Sequence, residues 1–327
     1  MKQSNDPVQN GKSTAKPVVT AKRKANRRTR FKRAFPLTVL ALPGLIAMIL
    51  FRYLPMGGLV LAFKRYQIPK GMFGSPWNGV QNFKFLFATK DFLVITRNTI
   101  GYNLFFILLD LVLPVTLAII LTELHSTRRS KVYQTIFMAP YFLSWVVVSF
   151  IGYALFAKEA GILNQILTAM GKEPVVWYST GEYWPYILTI FHVWKTLGYT
   201  SVMYQASVIG IPDDYYEAAI VDGATKWEQI WHITLPCLKT MMITLSILAV
   251  GRMFYSDFGL FYQLPRNEGV LLDYTNVVDT YVYRALKETQ NISMASAANF
   301  YQSILGFIMI VSVNFIVRKI DRESAIF

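Results

Sequence analysis

Cysteine is almost missing from this chain: Cys237 stands alone in 327 residues, which excludes an intramolecular disulfide and any multi-cysteine metal site. Histidine is nearly as scarce, and His125, His192 and His232 are too scattered to suggest a metal cluster. Charged residues make up 16% of the chain against 54% hydrophobic ones, too few for an ordinary soluble domain. A phosphate-binding loop is also lacking. Gly11-Lys12-Ser13-Thr14 has the ending of one, but Asp6 sits where the motif needs its first glycine, and no apolar strand precedes it. The apolar stretches hold only isolated acids and histidines, so no catalytic residue is assigned and a membrane-embedded enzyme is disfavoured.

What is present is long apolar runs. They fall into blocks of about 20 residues, the length a helix needs to cross roughly 30 Å of hydrocarbon. Six can be drawn: Phe35 to Phe63 (interrupted by Arg52 and Pro55), Asn98 to Leu124, Val132 to Phe156, Pro185 to Gly210, Pro236 to Ser256, and Ala295 to Val317. The expectation is an all-α membrane protein of six transmembrane helices, because a helix satisfies its own backbone in lipid. Tyr183, Trp184 and Tyr186 cluster at one span end, as interfacial aromatics do.

The net charge of +14 is concentrated at one end, since residues 1–34 hold 11 Lys and Arg against the single acid Asp6. With little apolar content, 1–34 reads as a disordered tail, too long and polar for a cleaved signal peptide. Nucleic-acid binding is a weaker reading than a cytoplasmic anchor beside an apolar span. Six spans then place both termini in the cytoplasm. Arg128, Arg129 and Lys131 after the second span agree, and the acid-rich connection after the fifth suits the outside. The first connection disagrees, with Lys64, Arg65, Lys70, Lys84, Lys90 and Arg97 facing only Asp91. The dense tail outweighs it.

The connection 211–236, between the fourth and fifth spans, is the most informative. It reads Ile211-Pro212-Asp213-Asp214-Tyr215-Tyr216-Glu217-Ala218-Ala219, continues to Gly223, and closes on Ile233-Thr234-Leu235-Pro236. Asp214 is placed to cap a short helix, with Glu217 completing a capping box. Ala218 and Ala219 favour helix without bulk, so another surface can approach. Gly223 permits a turn, and Pro236 is placed to start the next helix where its missing N–H is harmless. On physics alone this is either an amphipathic connector or a docking helix.

The segment Glu217-Ala218-Ala219, three residues, Gly223, nine residues, then Ile233-x-Leu235-Pro236, resembles without a gap the signature of ABC importer permeases. The resemblance implies that the short helix is a cytoplasmic coupling helix docking into a separate ATPase. Asp214, Glu217, Ala218, Ala219 and Gly223 would then lie at the docking surface, and Leu235 and Pro236 would lead into the fifth span. Leu42-Pro43-Gly44, Arg52-Tyr53-Leu54-Pro55-Met56, Ser75-Pro76-Trp77-x-Gly79 and Asn98-Thr99 are similar to the carbohydrate-uptake branch, most of all to permeases for complex oligosaccharides and alginate. The family implies a permease domain over 35–327, a second permease subunit, two ATPases using ATP and magnesium, and an external solute-binding protein. No cofactor or metal is expected on this chain itself.

A solute path is sought among polar and aromatic residues of the spans. His192, Lys195 and Tyr199 follow one another along the fourth span; Tyr141 and Trp145, four apart, should share a face of the third. Arg252 and Tyr255 lie towards the outer end of the fifth, as Asn299, Tyr301 and Gln302 do in the sixth. Aromatic rings and donors suit a sugar, though each residue could equally bond helix to helix. Asp110 reads as a structural partner for a cation such as Lys195. The basic first connection, Lys195 and Arg252 together suggest an anionic solute. The rival reading is an ion-gradient-driven secondary transporter, which six spans without an inverted repeat disfavour.

Overall fold

The computed structural model describes residues 27–124 and 126–320. The tail up to residue 26, His125 and the C-terminal residues 321–327 therefore lie outside the described residues. Chain contacts separate two units, Met1–Gly57 and Gly58–Phe327. In the first, helix α1 runs Arg27–Met48 and continues as a wide π-turn, Ile49–Tyr53, before Leu54–Met56. The last eight residues of the expected disordered tail are thus helical backbone. Arg, Lys and Ala supply good helix propensity there, and the helix passes through Pro36 without ending. Arg52 and Pro55 do not break the segment, because the π-turn lets the Leu54 N–H reach the Ile49 carbonyl before the proline removes a donor.

The second unit is helical throughout, its single β-bridge among the described residues joining Lys64 and Trp77. Helix α2 spans Lys90–Glu123, 34 residues or about 51 Å, so its ends project beyond the hydrocarbon. The expected third span is two helices, α3 Thr127–Met138 and α4 Trp145–Phe156, bent by 98° at the break. Pro140 lies in the 3-10 turn Ala139–Phe142, and Ser144 caps α4 by accepting the Val147 N–H at 3.3 Å. Helix α5 covers Trp184–Ile209, short helix α6 Asp213–Val221, and α7 the span Lys226–Gly251. Helix α8 (Val278–Lys287) lies in the connection to the last helix, α9 Ile292–Ile320.

Among the described residues, four helical segments are long and apolar enough to cross a membrane: Thr38–Phe63, Lys90–Glu123, Lys226–Gly251 and Ile292–Lys319, or five if the bent pair counts as one. Helix α5 is long enough but less apolar. Its burial explains why: Ile187, Leu188, Phe191, Lys195, Ser201, Tyr204 and Gln205 face protein, so it need not be apolar all round. It joins two cores. Phe106, Val148, Trp184, Leu188, Phe191, Leu260 and Phe261 meet in one, and Val115, Ala118, Ile119, Tyr204 and Leu238 in the other. Gly198 sets the fit of α5 on α3, since a Cβ there would overlap the Phe137 carbonyl.

Candidate coupling helix and membrane site

Helix α6 is nine residues long and exposed, with Tyr215, Ile220 and Val221 at 57%, 58% and 87% exposure. Large apolar groups this open on a short helix mark a surface suited to a partner. Its C-terminus closes on Gly223, whose φ of +80° is a left-handed turn suited to glycine, and the Ala224 N–H returns to the Ala219 carbonyl at 2.9 Å. Two contacts tie it to the helices beside it. The Tyr216 and Thr234 hydroxyls lie 2.9 Å apart, and Lys226, just beyond the turn, pairs with Glu123 at 3.1 Å. The α6 connection therefore lies at the Glu123 end of α2.

Three details differ from the sequence expectation. Pro212 holds the cap position of α6 and no side chain caps it; Asp214 lies inside the first turn, where a carboxylate still complements the helix dipole. The capping box is one helix later. Thr225 Oγ1 accepts the Glu228 N–H at 3.3 Å while Glu228 Oε2 accepts the Thr225 N–H at 2.7 Å. Pro236 does not begin the fifth span, which starts ten residues earlier at Lys226. The π-turn Ile230–Thr234, whose ladder closes from the Leu235 N–H to the Ile230 carbonyl, carries the helix through Leu235-Pro236 without a break.

Of the ten candidate path residues, the structure brings four together at the corner between α3 and α4. Lys195 is 8% exposed and its Nζ donates to the carbonyls of Pro140 (3.2 Å), Tyr141 (3.1 Å) and Leu143. Tyr199 stacks on Tyr141 with centroids 4.1 Å apart, and Lys195 Nζ lies 5.2 Å from the Trp145 ring. Trp145 Nε1 donates to Asp257 Oδ2 at 2.8 Å, and Asp257 Oδ1 accepts the Gly259 N–H at 2.9 Å. Tyr141 and Trp145 meet around Lys195, not on one helical face, because the helix breaks between them. Lys195 serves the open backbone of that break and does not pair with Asp110. Asp110 instead takes His192 at 3.1 Å and the Thr196 hydroxyl at 3.3 Å, with His192 stacked on Phe106.

The remaining candidates lie elsewhere. Arg252, Tyr255 and Asn299 are exposed. Tyr301 sits in an aromatic nest with Phe87 and Phe92 at 5.9 and 5.3 Å. Gln302 is buried and donates to the Phe254 carbonyl at 2.7 Å and to Asp279 Oδ1 at 3.0 Å. Asp257 was missed as a member of the site. Its signal was an acid two residues before a glycine at a helix start, read only as one of several acids in a connection.

Long apolar helices, one of them broken across its middle, and a short exposed helix between two others define a helical membrane protein. The chain belongs to the family described as the binding-protein-dependent transport system inner membrane component, whose model matches residues 114–322. It is 31% identical to protein LplB of Bacillus subtilis over 94% of this chain and 96% of that protein. It is 30% identical to the polygalacturonan/rhamnogalacturonan transport system permease protein YteP of the same organism, over 88% and 89% of the two chains. A crystal structure of a bacterial ABC transporter that imports the acidic polysaccharide alginate contains a chain with TM-score 0.82 and 28% identity. The match covers 90% of this chain and 99% of that one. The chain is thus a permease component of an ABC importer, with ATP hydrolysis assigned to a separate subunit, and the ion-gradient reading is not favoured.

Proposed function

We propose that this chain carries an oligosaccharide or polysaccharide across the inner membrane by alternating access, with α6 as the helix an ATPase subunit grips. The observation that carries the reading is the exposed, partnerless apolar surface of α6, held at one end of α2 by the Lys226–Glu123 pair. On this reading α5 is a true crossing despite its polar residues, giving six spans, and residues 1–34 anchor the permease domain 35–327 from the cytoplasm. A second permease subunit, two ATPases using ATP and magnesium, and an external solute-binding protein complete the importer. Acidic glycans are favoured by two relatives, one named for polygalacturonan and rhamnogalacturonan and one for alginate import. Tyr141, Trp145 and Tyr199 are the aromatic surface nearest the break that a sugar ring would meet; Lys195 braces that surface from behind.

Movement of the ATPases would pull on α6, and α5 and α7, which flank it, would carry the shift to the broken span. The test is ATP-driven uptake by the assembled importer in proteoliposomes. Gly223→Pro cannot adopt a φ of +80° and is expected to abolish uptake while membrane insertion and permease pairing persist. Glu217→Ala is expected to weaken coupling by about 1–3 kcal/mol, the usual range between linked sites, read as binding-protein-stimulated ATPase activity. Normal uptake by the Gly223→Pro importer would refute the assignment.

A further inference from the structure

At the opposite end of α2 from the α6 connection, the first connection and the turn before α9 form an open groove of about 1190 Å³. Its two walls are fixed to each other: the Tyr66 N–H donates to Ser293 Oγ at 2.8 Å. The first wall is braced internally by Lys64, whose Nζ donates to the Met72 and Phe73 carbonyls at 3.1 and 2.8 Å, and by Asn82, which donates to the Ala62 and Lys64 carbonyls at 2.7 and 3.0 Å. The groove is therefore a built shape, not a gap between loose loops.

Its chemistry is one-sided. Arg65 and Lys84 line it, both exposed, and neither side chain makes a hydrogen bond or ion pair with another described residue. No Asp or Glu lines the groove, and Glu288, nearby in the chain, is instead engaged by Asn267 at 2.9 Å. The side-chain amides of Gln81 and Gln290 are unengaged among the described residues, and the Phe85 ring, 63% exposed, offers an apolar face. Two uncompensated cations in a concavity focus a positive potential, and free amides with an exposed ring match hydroxyls and C–H faces. The volume exceeds the roughly 300–1,000 Å³ of ordinary small-molecule sites, which suits an elongated ligand.

We propose that this groove is a subsite for an acidic oligosaccharide, its carboxylates paired with Arg65 and Lys84 and its hydroxyls with Gln81 and Gln290. The proposal rests on the transport reading, which puts the groove on the face where solute arrives. A protein partner fits less well, because the cores of protein interfaces are depleted of charge, whereas two free cations stand in this groove.

The test uses the assembled permease–ATPase complex in nanodiscs without the binding protein, titrated with tetragalacturonic acid and with its carboxyl-reduced, neutral counterpart. The wild type is expected to prefer the acid. The double variant Arg65→Gln/Lys84→Gln is expected to lose about tenfold in affinity for the acid only, or about 1.4 kcal/mol. Lys70→Gln, an exposed lysine outside the groove, should change nothing. Equal binding of the two tetramers, or unaltered affinity in the double variant, would overturn the proposal. So would a loss seen only in anionic-lipid nanodiscs, or, in a parallel titration with the binding protein, a loss confined to its association, which would assign the cations to a headgroup or a protein. Failure of the wild-type importer to couple ATP hydrolysis to any glycan would sink the transport reading instead, and binding to the groove would still be read directly.

Discussion

At the scale of single residues, Lys195 shows how a buried charge changes meaning once its partners are visible. In the sequence it is a cation within an apolar run, and both a solute contact and an ion pair with Asp110 are reasonable. In the fold three backbone carbonyls converge on it at a helix end, where a positive charge also complements the dipole. Lys195→Met would leave those carbonyls open, at about 1.5–3 kcal/mol for a hydrogen bond to a charged group. The expected result is a lower unfolding temperature and reduced uptake of neutral and acidic solutes alike. Selective loss of acidic uptake, with stability unchanged, would restore the solute-contact role. The polarity of the fourth span was legible in the sequence; the choice of partner was not. Asp110 is 82 residues from His192 and 85 from Lys195, and only packing decides between them.

At the scale of elements, the long runs and the short helix were legible, and the junctions were not. Leu-Pro explains most of the discrepancy. Before Leu54-Pro55, Leu235-Pro236 and Leu264-Pro265 the helix widens into a π-turn, Ile49–Tyr53, Ile230–Thr234 and Gly259–Gln263. A proline reads as a start or a break, yet at Leu54-Pro55 and Leu235-Pro236 a turn with one extra residue absorbs its missing donor and the helix runs on, whereas at Leu264-Pro265 the helix ends in a turn through left-handed Arg266 and Asn267. Ala139-Pro140 is not preceded by such a turn, and there the span does break. Capping shifts for a similar reason: Pro212 occupies the position Asp214 would have needed, so the pairing of hydroxyl and carboxylate falls to Thr225 and Glu228. Thr225→Ala is therefore expected to cost about 1 kcal/mol, the usual loss of a cap, with faster amide exchange across 225–235. Asp214→Ala should leave that segment unchanged and act only through ATPase docking. The reverse pattern would return the cap to Asp214.

At the scale of the second unit, the two ends of α2 are tied very differently. At its first end, side chains bolt the 252–291 connection down. Asn98 donates to the Asp273 and Asn276 carbonyls, both at 3.0 Å, and Thr99 Oγ1 accepts the Val278 N–H at 3.0 Å. Tyr102 donates to the Tyr274 carbonyl at 2.8 Å, and Asn103 to the Ser256 hydroxyl at 2.9 Å. Asn98 and Thr99 are buried, so each lost partner there costs the full desolvation penalty, about 1–3 kcal/mol. At the far end α2 itself packs in the core of Val115 and Leu238, but among the described residues the α6 connection is tied down by polar contacts only through the Tyr216–Thr234 contact and the Lys226–Glu123 pair, whose side chains are 65% and 39% exposed. An ion pair that open is worth about 0–1 kcal/mol. A transporter driven from the α6 end needs this asymmetry, because the handle must move before the opposite face yields. Hydrogen exchange on the assembled importer without nucleotide should therefore find 211–226 fast and 273–280 slow. Asn98→Ala should raise exchange at 273–278 and leave 213–221 as it was, whereas Glu123→Gln should do neither to any comparable degree. Equal protection at the two ends would mean that these hydrogen bonds do not set the order of motion, and the drive would have to begin elsewhere than at α6.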